Sequence, residues 1–189
     1  MTDVTDDRDV TVLVVDDEPD LVSLYTVWLD DSYDVRSATG GEEALDELDD
    51  SVSVALLDRR MPGMTGDEIL DAIRARGVDC QVAMITAVEP DIDVVDMPFD
   101  DYLVKPIDKH GLRSTVEVLV RRRDYDQKSQ EFFRLAAKRA AIEGADGDHT
   151  GDPEYRDLVD RMERLRASID TTLDELGPEG YEAAFQDLD

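Results

Sequence analysis

At 189 residues the chain has room for one domain of ordinary size and a smaller appendage. Its 48 acidic and 20 basic residues leave a net charge of −28, with 34 Asp to 14 Glu and 16 Arg to 4 Lys. Short carboxylates in such excess, with lysine avoided, suit a halophilic cytoplasm whose salt screens the self-repulsion, and they exclude reading any lone Asp pair as a site.

Residues 1–9 read as a polar, disordered lead-in. After them short apolar runs alternate with helical patterns: strand 10–15, helix about 20–30, strand 33–38, helix 41–49, strand 53–57, helix 66–76 and strand 81–85. A weak segment at 90–98 follows, then strand 101–104 and a helix from about Asp108. Continuous apolar runs separated by amphipathic helices are the pattern of buried parallel strands. The expected fold is therefore α/β, a doubly wound five-stranded parallel sheet with right-handed crossovers. Pro19 suits the first turn of its helix, and Glu42 and Glu43 suit the positive end of theirs. The segment between Pro90 and Pro98 is β-branched and holds two turns at most, so its helix is eroded.

Beyond Pro106 the composition changes. Residues 107–143 have few breakers and read as one long helix, followed by a Gly- and Asp-rich linker at 144–153. Tyr155, Leu158, Met162, Leu165, Ile169, Thr172 and Leu176 then fall at alternating spacings of three and four, a heptad seam that Gly177-Pro178 is expected to end. That seam must be covered, either by Val118, Tyr125, Phe132 and Leu135 of the preceding helix or by a second chain. An α-helical hairpin or coiled-coil tail is the expectation, with a homodimer through the C-terminal helices as its consequence.

Cys80 is the single cysteine, which excludes an intrachain disulfide and agrees with a reducing compartment. The N-terminus has neither the basic nor the apolar part of a signal peptide, and no apolar run approaches the roughly 20 residues of a membrane span. A cytoplasmic protein with no membrane partner is expected.

Function is carried by what stands at the strand ends. Asp16 and Asp17 follow the first apolar run, Asp58 the third, Thr86 the fourth and Lys105 the fifth. In an open parallel sheet these ends share one edge, so the side chains can converge. Phosphoryl transfer needs an in-line nucleophile and cations for the equatorial oxygens. Asp58 can be that nucleophile, giving an acyl phosphate. Mg2+ keeps several waters, so Asp17, Asp58 and the Arg60 carbonyl suffice as direct ligands, with Asp16 holding a metal-bound water. Lys105 offers a point charge to a phosphoryl oxygen and the Thr86 hydroxyl can donate to another. Three clustered carboxylates repel one another without a cation, which is itself a reason to expect a metal.

The segments VVDDEPD at 14–20, LLDRRMPGMTG at 56–66, MITA at 84–87 and DYLVKP at 101–106 resemble the receiver domain of two-component response regulators. The resemblance covers about residues 8–122, and it implies the flavodoxin-like form of the doubly wound sheet. It also implies phosphorylation of Asp58 by a histidine kinase, Thr86 and Tyr102 as a switch pair, and a cis peptide at Lys105-Pro106. Residues 123–189 resemble the HalX domain that follows receivers in haloarchaea, with the long helix from about residue 108 bridging the two. The implied protein is a phosphoacceptor that assists its own phosphorylation and dephosphorylation, not an enzyme with a separate substrate. Its other partner, a downstream protein, is unidentified.

Two other outputs compete with a helical interaction module. The basic stretch at 121–139 could serve a DNA-binding transcriptional regulator, but phosphate contacts weaken steeply with salt and no helix-turn-helix pattern follows Pro106. Pairing of these bases with carboxylates of the same helix is the preferred account, so nucleic acid is disfavoured as a partner. A non-phosphorylated scaffold is the other rival, and the complete pocket argues against it. His110 and His149 are too far apart in sequence to suggest a metal site.

Overall fold

The computed structural model describes residues 10–90, 94–144 and 151–185, the last nine as backbone only. The lead-in expected at residues 1–9 lies outside them. Strands β1 (Thr11–Val15), β2 (Asp34–Ala38), β3 (Val52–Leu57), β4 (Gln81–Thr86) and β5 (Asp101–Val104) form one parallel sheet in the order β2-β1-β3-β4-β5. The chain steps outward from β1 to β2, then reverses to β3 on the other side of β1. That reversal is the topological switch point, where a crevice opens beyond the strand ends.

Helices α1 (Pro19–Leu29), α2 (Gly41–Glu47) and α3 (Gly66–Arg76) connect the first four strands, and α4 (Lys109–Glu143) follows β5. β1 and β3 are buried along their whole length because both faces are covered. Alternate residues serve alternate faces. Leu13, Ala55, Leu57, Val82 and Met84 meet Ile69, Leu70 and Ile73 of α3. Val12, Val14, Val54, Leu56 and Ile85 meet Tyr25 and Leu29 of α1 with Leu112, Val116 and Leu119 of α4.

The elements stand where the sequence places them, with small differences at their ends. The strand expected at 81–85 takes in Thr86, and the helix expected at 41–49 stops at Glu47. Between β4 and β5 the described residues contain no α-helix, only a short turn near Val94. Pro98 closes the segment on its C-terminal side, and its β-branched residues favour a helix little. Arg74 of α3 takes over the anchoring. Its Nε donates to the Pro98 carbonyl at 3.0 Å, and its terminal nitrogens donate to the Cys80 carbonyl at 2.7 Å and to Asp100 Oδ2 at 2.8 Å.

The chain divides into two units after Val120. In the second, the rest of α4 and helix α5 (Pro153–Phe185) run antiparallel. Tyr155 donates to Glu143 Oε1 at 2.6 Å, Arg161 pairs with Glu131, and Thr172 donates to Asp124 Oδ2 at 3.2 Å. As α5 advances its partners recede, which is a hairpin. Met162, Thr172 and Leu135 are buried in it, while Tyr155, Leu158, Leu165, Ile169 and Leu176 are half-buried.

Three tail expectations need correction. Gly177-Pro178 does not end α5, which continues to Phe185. Proline removes one donor, but the glycine before it has no Cβ to meet the ring, and the residues after it include Glu and Ala. Pro153, assigned to the linker, opens α5 at a position where its missing N–H costs nothing. Val118, offered as cover for the seam, belongs to the first unit.

Candidate functional site

β1 and β3 lie side by side, and the N–H of Asp58 donates to the Val15 carbonyl at 2.8 Å. That bond brings the end of β3 level with Asp16 and Asp17. Carboxylate oxygens of Asp16, Asp17 and Asp58 all fall within 4.8 Å of one another. Lys105 enters from beyond β5, where its N–H bonds the Thr86 carbonyl at 2.9 Å. Its Nζ donates to Asp16 Oδ2 at 2.6 Å and to Asp58 Oδ2 at 2.8 Å. Asp16, Asp58 and Thr86 are buried, and Asp17 is half-buried at the mouth.

The two buried carboxylates are also held by main chain. The Glu18 N–H donates to Asp16 Oδ1 at 3.0 Å, and the Arg60 N–H to Asp58 Oδ1 at 3.1 Å. Burial by itself would lower the Lys105 pKa. The hydrogen bonds and charges of Asp16 and Asp58 outweigh it and hold the ammonium above its ordinary value. Tyr25 of α1 responds to the same cluster: burial raises its hydroxyl pKa, Lys105 opposes, and the carboxylates of Asp16, Asp58 and Glu18 add to the rise.

A divalent cation fits this donor set. Three carboxylates face one ammonium, which leaves two negative charges uncompensated in a buried crevice. The donors are all oxygen, the choice of a hard ion such as Mg2+ rather than a soft one.

Thr86 and Tyr102, the expected switch pair, both engage Val88. The Val88 N–H donates to Thr86 Oγ1 at 3.3 Å, while the Tyr102 hydroxyl donates to the Val88 carbonyl at 2.8 Å. The Tyr102 ring lies 5.5 Å from that of Phe99 and packs on the α3 side of the sheet. The Lys105-Pro106 peptide is cis.

Sequence reasoning misses the devices that set the loop after Asp58. A Cβ on Gly66 would stand 2.3 Å from the Asp58 carbonyl oxygen and 2.9 Å from Arg59 Cα. Only glycine lets the start of α3 come that close, and the Gly66 N–H bonds the Arg59 carbonyl at 3.0 Å. Arg59, nearly buried, closes on Asp67 at 3.1 Å. Thr65 caps α3 reciprocally with Glu68, a signal the spacing T-x-x-E does carry.

Residues 12–117 match the response regulator receiver domain, and residues 121–185 match the HalX domain. The chain belongs to the response regulator receiver family. Behind its receiver stands a HalX domain. A Haloferax volcanii protein assigned as a transcriptional regulator is 49% identical over 164 residues, which are 86% of this chain and 28% of that protein. The transcriptional regulatory protein CpxR of Escherichia coli is 36% identical over 123 residues, 63% of this chain and 53% of CpxR. The receiver thus spans about half the length of CpxR, and the chain little more than a quarter of the Haloferax protein. Among solved structures, the signal receiver domain of a Vibrio parahaemolyticus protein assigned as a LuxO repressor aligns with a TM-score of 0.57. It is 25% identical, over 62% of this chain and 94% of that one. Among the described residues no helix is long and apolar enough to cross a membrane.

Proposed function

We propose that this response regulator receives a phosphoryl group on Asp58 from a histidine kinase in the cytoplasm and signals through its helical tail. The observation that carries the reading is the Lys105 ammonium lying 2.6 and 2.8 Å from Asp16 and Asp58. It leaves a crevice that is cationic on one side and short of positive charge on the other.

In the transfer, an Asp58 carboxylate oxygen forms a bond to phosphorus as the phosphorus–nitrogen bond of a phosphohistidine breaks. The electron pair departs with the imidazole, and the product is an acyl phosphate. Lys105 is placed to leave Asp58 for an oxygen of the incoming group, exchanging one anion for another at little cost in desolvation. Thr86 accepts from Val88 and keeps its own hydroxyl proton for a second phosphoryl oxygen. If that bond draws Thr86 away, Val88 is loosened and the Tyr102 hydroxyl loses its anchor. In this way phosphorylation would reach the β4–β5 connection. Asp17, Asp58 and the Arg60 carbonyl would hold Mg2+, with Asp16 on a bound water; when present the ion neutralises charge developing on the phosphoryl oxygens. The chain acts as acceptor, not as an enzyme on a separate substrate. Its similarity to transcriptional regulators and its acid-rich composition support transcriptional output in a haloarchaeal cell.

Metal titration tests the site. Asp17→Ala should weaken Mg2+ binding by about tenfold or more and remove labelling by acetyl phosphate, while its melting temperature stays within a few degrees. Wild-type affinity in Asp17→Ala would remove Asp17 from the metal site.

A further inference from the structure

The heptad seam of α5 is consumed inside the hairpin, and a different face of the tail is left bare. From residue 127 to 141 the exposed positions of α4 fall in one arc of about 160° at 100° per residue. Gln127, Arg134, Lys138 and Ala141 lie toward one side of the arc and Phe133, Ala137 and Ala140 toward the other, with Gln130 between them. Phe133 is 68% exposed. None of these residues is acidic, in a chain with 48 carboxylate residues among 189. Helices α1, α2, α3 and α5 all expose carboxylates, and α4 does so outside this stretch, at Glu117 and Glu143.

Arg134 and Lys138 have no hydrogen-bond or ion-pair partner among the described residues. Pairing within the tail, the account preferred from sequence, holds for Lys128 with Asp124 and for Arg139 with Glu143, but not for these two.

We infer that this face of α4 binds duplex DNA, entering the major groove. A chain of net charge −28 can approach a polyanion only where its own carboxylates are withdrawn. The groove admits one α-helix, and the side chains match what base edges offer. Glutamine pairs with adenine, arginine with guanine, lysine reaches phosphate, and alanine or phenylalanine packs on a thymine methyl. A second copy docked through the same face would bring four cations together with no carboxylate among these positions to offset them.

The objection from salt also weakens. Two phosphate contacts at most give a slope near −1.8 in log K against log salt, so a tenfold rise in salt costs only about 60-fold. Base-edge contacts and apolar packing supply the remainder, and salt screens them little.

The inference rests on the tail being the output of the proposed phosphoacceptor, so labelling by acetyl phosphate is scored in the same variants. Full-length protein would be used to select from a pool of duplexes with a randomised centre, at about 0.2 M and about 2 M KCl. One sequence family should be enriched at both salts. Its affinity should fall by no more than about 60-fold between them. Ala137→Glu, which puts a carboxylate on an exposed position, and the pair Arg134→Gln with Lys138→Gln should each weaken binding at least about tenfold. Circular dichroism and labelling should not change.

Failure of labelling with DNA binding intact would overturn the phosphoacceptor reading and leave this one standing. No enrichment at either salt, or full affinity in the glutamine pair, would overturn the DNA reading. So would an Ala137→Glu protein that changes from dimer to monomer with its DNA affinity untouched, because the face would then be a self-interface.

Discussion

Gly66 is as much a part of the pocket as any carboxylate. The start of α3 lies against the Asp58 carbonyl, and backbone on both sides cannot yield as a flexible side chain would. Gly66→Ala should therefore cost about 1–3 kcal/mol and move Asp58 with its carbonyl, lowering Mg2+ affinity as well as melting temperature. A melt and a metal titration identical to wild type would mean that the loop has more room than a 2.3 Å approach allows. The residues of the candidate site are legible in the sequence because each ends an apolar run: Asp16, Asp17, Asp58, Thr86 and Lys105 reach one edge as soon as the strands are parallel. Gly66, the Arg59–Asp67 pair and the Val88 link are not legible. A glycine in a turn, an acid in a first turn and a valine past a strand each have common, unremarkable uses. What distinguishes these three is distance, and spacing in the chain does not encode it.

At the scale of elements, the sheet and its helices follow from apolar periodicity, since β1, β3 and β4 are covered on both faces and their residues declare it. The β4–β5 connection is legible as a weakness, through its two prolines, but its substitute is not. Nothing in the spacing of Arg74 and Asp100 announces that they meet. The hairpin is legible from its heptad, whereas the extension of α5 through Gly177-Pro178 is not, because a helix breaker is a local penalty that flanking helix formers can outweigh. Two measurements address the hairpin. Leu165 is half-buried in the seam, so Leu165→Asp should cost about 1–2 kcal/mol and reduce helicity, leaving labelling at Asp58 unaffected. Unchanged helicity would deny the seam its role.

The end of the hairpin where the two helices connect offers the second. The Tyr155 hydroxyl first, and Arg139 after it, hold the Glu143 carboxyl below its ordinary pKa of 4.5. A depressed carboxyl adds stability above its unfolded value, and loses it as pH falls through the lower folded value. Tyr155→Phe should raise the Glu143 midpoint toward 4.5, followed by carboxyl NMR. A midpoint indifferent to that change would exclude the Tyr155 bond in solution.

For the whole molecule, a receiver and a HalX domain share one chain through a helix of 35 residues. The acidic surface belongs to the solvent, and the exposed positions of α4 from residue 127 to 141 depart from it by carrying no carboxylate. The signalling account depends on Asp58 being the acceptor. Intact-protein mass spectrometry after incubation with acetyl phosphate and Mg2+ in molar KCl decides that point. One phosphoryl group should appear on the wild-type chain and none on Asp58→Asn; equal labelling of the two proteins would contradict the account.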